Sequence, residues 1–514
     1  MSLAAQPAGG GPPARIEELW RRIYGGEAPE KPRGLEPAPP APAPEQPTAA
    51  TNFLDHLIFR LGSTYTRNFV SFTGRPTRSF VIDDGPPGTV TPEGFSFPQV
   101  FEASDDRLYS YLVLGTRGYG DPRLNTYVSL IHQDDLDGTR AGSPFQSILD
   151  AFGGGRRTQV LNGYAEMNGL GTGALSQSSL RLGRQFVFDT TPQLLGSPVI
   201  DGATLGYRDS RLEAAVFSGR RVNFFGGREA DFSMGGSASY QFQPGTSGTV
   251  NYFFLPGFHR YALDATQQIG DLRAGAFLTF RNVHPIDLGV RGWYAAPASP
   301  WTIRGSAVRR LTDEDFSFDI FREREAAKRL FLLRIRPATH LTLDADHQLR
   351  SWLTLGGGVA ARFVDGTEEA FDNSFEQVTL RAVWTPLERW DALFQYRFRH
   401  VERSPVSAVV RALRFDDINR AGETDYHELN GELHYRLGSH FSARVGGYFG
   451  LFDSRNRLAE VTGVTTAGGY LRGRLRVHRT ADLRIEYGID RGNPEFNPDI
   501  AHQHTVRVGF DVHY

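Results

Sequence analysis

The sequence predicts an all-β chain: a closed antiparallel transmembrane β-barrel of about 22 strands (roughly 18–22), behind a short helical or disordered extension. Three observations predict it. Apolar and polar residues alternate with period two in segment after segment. The links between these segments are short and long by turns. No run of about 18 apolar residues exists, so any span must be made by strands rather than a helix.

The 514 residues carry no cysteine. This excludes disulfides, thiolate metal sites, covalent haem attachment and cysteine nucleophiles. Mean hydropathy is −0.36, which a strand-built barrel tolerates because only alternate residues need be apolar. Gly 57 and aromatic 12% suit tight turns and interfacial rings. The formal net charge of −2 says little about partners, and no nucleic-acid partner is expected. Lys31 and Lys328 are the only lysines, so nearly all the cations are guanidinium groups. Their planar fork suits carboxylate and phosphate partners.

Residues 1–52 read as an extension and 53–514 as the barrel. Met1 to Ala8 has the small residues of a cleavage region but neither a charged start nor an apolar run. Residues 15–24 form an amphipathic helix, with Ile16, Leu19, Trp20 and Ile23 on one face. Pro12 and Pro13 precede it and Gly25 and Gly26 end it. Residues 29–48 are a proline-rich spacer. The expectation is a disordered tail, with a tethered helix that docks a periplasmic partner as the alternative.

Strands are expected to start near 58, 107, 123, 158, 176, 200, 211, 231, 247, 258, 271, 284, 299, 328, 351, 373, 389, 425, 439, 465, 481 and 503. In one, Met234, Gly236, Ala238, Tyr240 and Phe242 oppose Ser233, Gly235, Ser237, Ser239 and Gln241. In another, Leu272, Ala274, Ala276, Leu278 and Phe280 oppose Arg273, Gly275, Thr279 and Arg281, with Phe277 out of place on the polar face. Leu483, Ile485, Tyr487 and Ile489 oppose Arg484, Glu486 and Asp490. Pro337 sits awkwardly in the segment starting at 328, because proline cannot donate to a ladder. Short links fall near 208–211, 243–246, 269–271, 385–388, 437–440 and 479–482. Long ones fall near 73–106, 134–157, 188–199, 220–230, 311–327, 364–372, 401–424, 453–463 and 491–502. Short turns on one rim and long loops on the other put both ends of the barrel on the same side, which requires an even strand number.

The last strand, from His504 to Tyr514, has Val506, Val508, Phe510, Val512 and Tyr514 on one face. Arg507, Gly509, Asp511 and His513 occupy the other. Ending on an aromatic residue, it resembles the terminal signature of bacterial outer-membrane β-barrels. That resemblance implies that Phe510, Val512 and Tyr514 are read by the barrel-assembly machinery and face outer-membrane lipid.

The register assigns the lumen as well. Its substrate path is expected to be lined by Arg181, Gln185, Arg208, Arg273, Arg291, Arg304, Arg381, Arg397, Arg399, Arg444, Arg472, Arg474, Arg476 and Arg484. The surplus acids, including the pairs Asp105-Asp106 and Asp134-Asp135, are expected in loops. A cationic wall around confined water attracts anions and repels cations.

Ser179-Leu-Arg-Leu-Gly-Arg-Gln185, followed by Asp201-Gly-Ala-Thr-Leu-Gly-Tyr-Arg208, resembles a strand-loop-strand of alginate-export and related substrate-specific porins. Ile200 stands where the family usually has phenylalanine. The resemblance covers about 30 residues and implies passage of an anionic polymer past Arg181, Arg184, Gln185 and Asp201.

No catalytic constellation, phosphate loop or nucleotide fingerprint is present, and no cofactor is expected. Asp135-Leu-Asp137-Gly138 is a fragment of a calcium loop, but Gln133 occupies another ligand position and no downstream Glu completes it. His502 and His504 share a strand face without an evident third metal ligand. The functional expectation is therefore a channel for anionic solute, foremost an exported anionic polysaccharide. The alternatives are a barrel sheath around a separate multihaem cytochrome and a general diffusion porin.

Overall fold

The computed structural model describes residues 53–72, 104–137, 156–187, 199–222, 232–255, 258–297, 299–312, 314–315, 334–335, 337–365, 374–402, 423–455, 460–491 and 500–514. The expected helix at 15–24 and the spacer at 29–48 lie outside them.

After a one-turn helix, α1 (Phe53–His56), the chain forms β1 (Leu57–Phe72), β2 (Ser104–Arg117), β3 (Leu124–Asp135), β4 (Arg156–Asn168), β5 (Ser178–Phe186) and β6 (Val199–Arg208). It continues through β7 (Leu212–Arg221), β8 (Phe232–Gln243), β9 (Thr246–Leu255), β10 (Phe258–Ile269), β11 (Leu272–Arg281) and β12 (His284–Ala295). Next come β13 (Trp301–Arg310), β14 (Ala338–Arg350), β15 (Leu353–Val364), β16 (Phe375–Leu387) and β17 (Trp390–Val401). The last are β18 (Glu423–Leu437), β19 (Phe441–Arg455), β20 (Glu460–His478), β21 (Ala481–Arg491) and β22 (Ile500–His513). Each pairs antiparallel with its sequence neighbours in one 22-stranded sheet.

β1 pairs with both β2 and β22, which closes the barrel and leaves no edge. At the seam Tyr514 N donates to Phe59 O at 2.8 Å and Phe59 N returns a bond to Tyr514 O at 3.3 Å. The number of strands matches the expectation, and the strand expected from 328 starts latest, at Ala338. Proline explains this. Pro337 has no N–H to give, so the ladder starts after it, and its carbonyl accepts from Asp365 N at 2.8 Å. The acids expected in loops at 105–106 and 134–135 instead lie within β2 and β3.

Alternation sorts the faces. Leu471, Leu475 and Val477 of β20, Ile485 and Tyr487 of β21, Val508 and Phe510 of β22, and Tyr514 just after it stand exposed on the outside. In-register partners share a face, so this apolar face continues around the sheet through Val445, Leu429, Phe394, Leu380 and Leu355. The out-of-place Phe277 is explained by its partner. Gly289 lies opposite it in register, and a Cβ there would collide with the Phe277 ring. The ring thus lies flat on the lumenal wall over a glycine and is buried. The turn between β2 and β3 is held by Asp121, which accepts from Arg123 N at 2.8 Å and from its guanidinium at 2.9 Å. Those bonds hold the Asp121 carboxyl down at about 2.

A closed antiparallel barrel with an even strand number, an apolar outer face and a charged lumen is the architecture of the bacterial outer membrane.

Candidate functional site

The densest charge in the lumen spans β20, β21, β22 and β1. Strand periodicity puts Arg472, Arg474 and Arg476 on the inner face of β20. Register sets them beside Glu486, Arg484 and Asp482 of β21. β22 adds Arg507 opposite Glu486 and Asp511 opposite Asp482. β1 adds Arg60, whose Nη2 donates to Asp511 Oδ2 at 2.6 Å.

Each carboxylate is shared by two arginines. Glu486 takes Arg472 at 2.6 Å and Arg507 at 2.8 Å. Asp482 takes Arg474 at 2.5 Å and Arg476 at 3.5 Å. Asp511 takes Arg60 at 2.6 Å and Arg484 at 3.4 Å, and also accepts from Tyr111 Oη at 2.5 Å. Six arginines thus face three carboxylates.

Depth separates the two signs. Asp482 and Asp511 expose 3% and 5% of their side chains, whereas Arg474 and Arg484 expose 46% and 52%. The acids are floored against the wall and the guanidinium groups stand above them in the lumen. Like charges also meet directly across the ladder, at Arg474 with Arg484 and Arg444 with Arg472. Such pairs weaken a sheet. Nothing in strand packing calls for them.

The other expected lumenal residues are more evenly matched. Arg181 donates to Glu166 at 2.9 Å and lies 4.5 Å over the Tyr164 ring. Arg291 binds both oxygens of Asp264, at 2.9 and 2.7 Å. Arg304 reaches Asp346 at 3.4 Å, and Arg381 bridges Asp344 at 2.9 Å and Asp346 at 2.7 Å. Arg397 pairs with Glu428 at 2.7 Å, and Arg399 stacks 3.9 Å over Phe375. Arg444 and Arg208 have looser partners, Glu432 and Glu213, each at 3.9 Å. Arg273 faces Trp293 in register. Gln185 is buried, donating weakly to Arg181 O at 3.4 Å and Gly202 O at 3.3 Å, so it packs the wall rather than lining a path.

The strand-loop-strand motif does not point where its resemblance implied. Arg184 and Asp201 share the outer face with Leu182 and Leu205, the opposite side from Arg181. Arg184 binds both oxygens of Asp201, at 2.7 and 2.8 Å. Its glycines are explained by crowding. Gly183 has φ +124 and, like Gly202, lies so near the next strand that a Cβ would strike backbone. The motif builds a stretch of wall in which neighbouring strands pack closely.

At the long-loop rim, Asp105, Asp135 and Asp137 bring carboxylate oxygens within 4.8 Å of one another. The third acid comes from β2, not from downstream sequence as a calcium loop requires. Arg107 occupies Asp105 at 2.7 Å and the Asp106 amide donates to Asp137 at 3.1 Å. Burial raises the Asp137 carboxyl above its ordinary range.

No family model and no curated protein matches this sequence. Among solved structures, OccAB2 of Acinetobacter baumannii is 11% identical with a TM-score of 0.41, over 90% of this chain and 100% of that one. OccK2 (OpdF) of Pseudomonas aeruginosa is 12% identical with a TM-score of 0.40, over 90% and 99%. The NanC porin is 11% identical with a TM-score of 0.24, over 50% and 93%. Likeness this distant leaves selectivity to be read from the lumen of this chain.

Proposed function

We propose that this barrel is an outer-membrane channel for diffusible anionic solutes, and that the arginine layer across β20, β21, β22 and β1 sets its preference. One observation carries the reading: three carboxylates, each shared by two guanidinium groups that are more exposed to the lumen than it is. The layer presents net positive charge where a solute would pass. A low-dielectric wall concentrates that field in the water beside it. An anion can trade water for guanidinium contacts and pass from one to the next without being trapped by any.

Export of an anionic polysaccharide loses its support, because Arg184 and Asp201 face outward and Arg181 is matched by Glu166. The anion remains in the proposal and the polymer does not.

The test is the reversal potential of the purified barrel in a planar bilayer across a potassium chloride gradient. A chloride-preferring sign is expected, weakening as salt rises because screening shortens the field. A cation-preferring sign would sink the proposal.

A further inference from the structure

The lumen does not account for the arginines on the other side of the wall. Among the described side chains, Arg67, Arg184, Arg220, Arg309 and Arg491 occupy outward positions. All five lie toward the long-loop ends of their strands. An outward arginine is costly at the middle of a bilayer and nearly free at its surface. Their placement therefore marks the headgroup level of the outer leaflet.

One group is organised further. Arg184, Asp201 and Arg220 form a single register row across β5, β6 and β7. Directly below come Leu182, Ala203 and Ser218, then Leu180, Leu205 and Val216. Leu182, Leu205 and Val216 are among the exposed apolar side chains of the outer face. The polar row thus rests on an acyl-chain surface. Arg184 is held by Asp201 through two bonds and by its own donation to Val160 O at 3.1 Å. Arg220 makes no hydrogen bond among the described residues, and its side chain is exposed. The row therefore carries two guanidinium groups and one carboxylate, with Arg220 at one end interacting with Asp201 through charge alone among the described residues.

We propose that this row binds the phosphate of an outer-leaflet lipid headgroup. Arg220 supplies the two-pronged contact that a phosphate oxygen pair accepts. Arg184, fixed by Asp201, adds a second positive charge across the row. The apolar positions beneath receive the acyl chains of the same lipid, a surface that a free phosphate cannot use. The site is on the opposite face of the wall from the proposed channel and does not depend on it.

The test uses the full barrel in phosphatidylcholine nanodiscs doped with lipid A or with lipid A stripped of its phosphates. Native mass spectrometry after detergent transfer gives the ratio of lipid-bound to lipid-free barrel. Arg220→Gln should lower retention of lipid A about tenfold, the loss of one charge-assisted contact. Asp201→Asn should raise it, since Arg184 is released and the negative charge that competes for both arginines is gone. A purely structural row predicts that both substitutions lower retention or change nothing, and either result overturns the proposal. Heat-modifiable mobility confirms that each variant is folded, and Arg472→Gln in the lumen should leave retention unchanged. Equal retention of the phosphate-free lipid overturns the assignment. Displacement of lipid A by millimolar inorganic phosphate would overturn the lipid as the source of the anion.

Discussion

On β13 to β16, Arg304 and Arg381 meet Asp344 and Asp346, two cations for two anions. Arg381 exposes 2% of its side chain, so there the cation lies at the bottom and is covered. On β20 to β1 the order is inverted: each acid is less exposed than the arginines that share it, and there are twice as many arginines as acids. The same residue types, on strands of the same barrel, make a neutral brace in one place and a charged surface in the other. Arginine count alone does not make a lumen cationic. What matters is how many carboxylates each arginine must share, and which sign lies nearer the water.

The largest expected effect comes from breaking the arginine layer. Replacing Arg472, Arg474 and Arg476 with Glu turns its excess of cations into an excess of anions. Alternate residues on a strand stand about 7 Å apart and neighbouring strands about 4.8 Å. Both distances fall within a Debye length of about 8 Å at physiological salt, so the fields of the layer add. The reversal potential in a salt gradient should fall to zero or change sign. An assembled variant with an unmoved reversal potential would show that selectivity is set elsewhere.

A smaller effect of opposite sign should follow Asp511→Asn. This removes one floored anion and releases Arg60 and Arg484, so chloride preference should rise. The same change cuts ties between β22, β1, β2 and β21, because Asp511 also accepts from Tyr111. Arg60 and Arg484 are half exposed and can rehydrate, so the stability loss should be only about 1 kcal/mol. It is readable as a lower urea midpoint of the heat-modifiable band.

The sequence showed the strands plainly, because lipid outside and water inside force a period of two on each of them. It also sets Arg472, Arg474, Arg476 and Arg484 on the polar faces of their strands. It could not show their partners. Asp482 reads as part of a turn, and Arg60 lies in a strand whose partner across the seam is more than four hundred residues away in the chain. Cross-strand neighbours depend on register and closure, which alternation within a strand does not specify. Arg184 and Asp201 make the same point. Parity along β5 sets Arg184 beside the outward Leu182, so the family resemblance, which spans both faces of the strand, does not by itself assign a side.

Arg381→Gln should have the smallest effect on selectivity, and that contrast is the sharpest form of the comparison. Arg381 carries the same charge as Arg474, so a lumen governed by simple arginine count would respond equally to the loss of either. The structure predicts otherwise. Arg381 Nε and Nη1 reach Asp346 and Asp344 at 2.7 and 2.9 Å, so little of its charge is open to a passing ion. Its loss alters charge deep in the wall, where Arg304 still faces Asp346 at 3.4 Å, rather than at the lumenal water. Local charge near the water then hardly changes, and the reversal potential should move less than in Arg474→Gln. The damage should appear in stability instead, because breaking a buried ion pair costs about 3–5 kcal/mol. Arg381→Lys should recover only part of this, since an ammonium cannot reach two aspartates with the geometry of a guanidinium fork. The measurements are the urea midpoint of the folded band and the reversal potential of the same preparations. If Arg381→Gln shifts selectivity as far as Arg474→Gln does, the two regions differ only in position, and the layered arrangement of acids beneath arginines has no functional meaning.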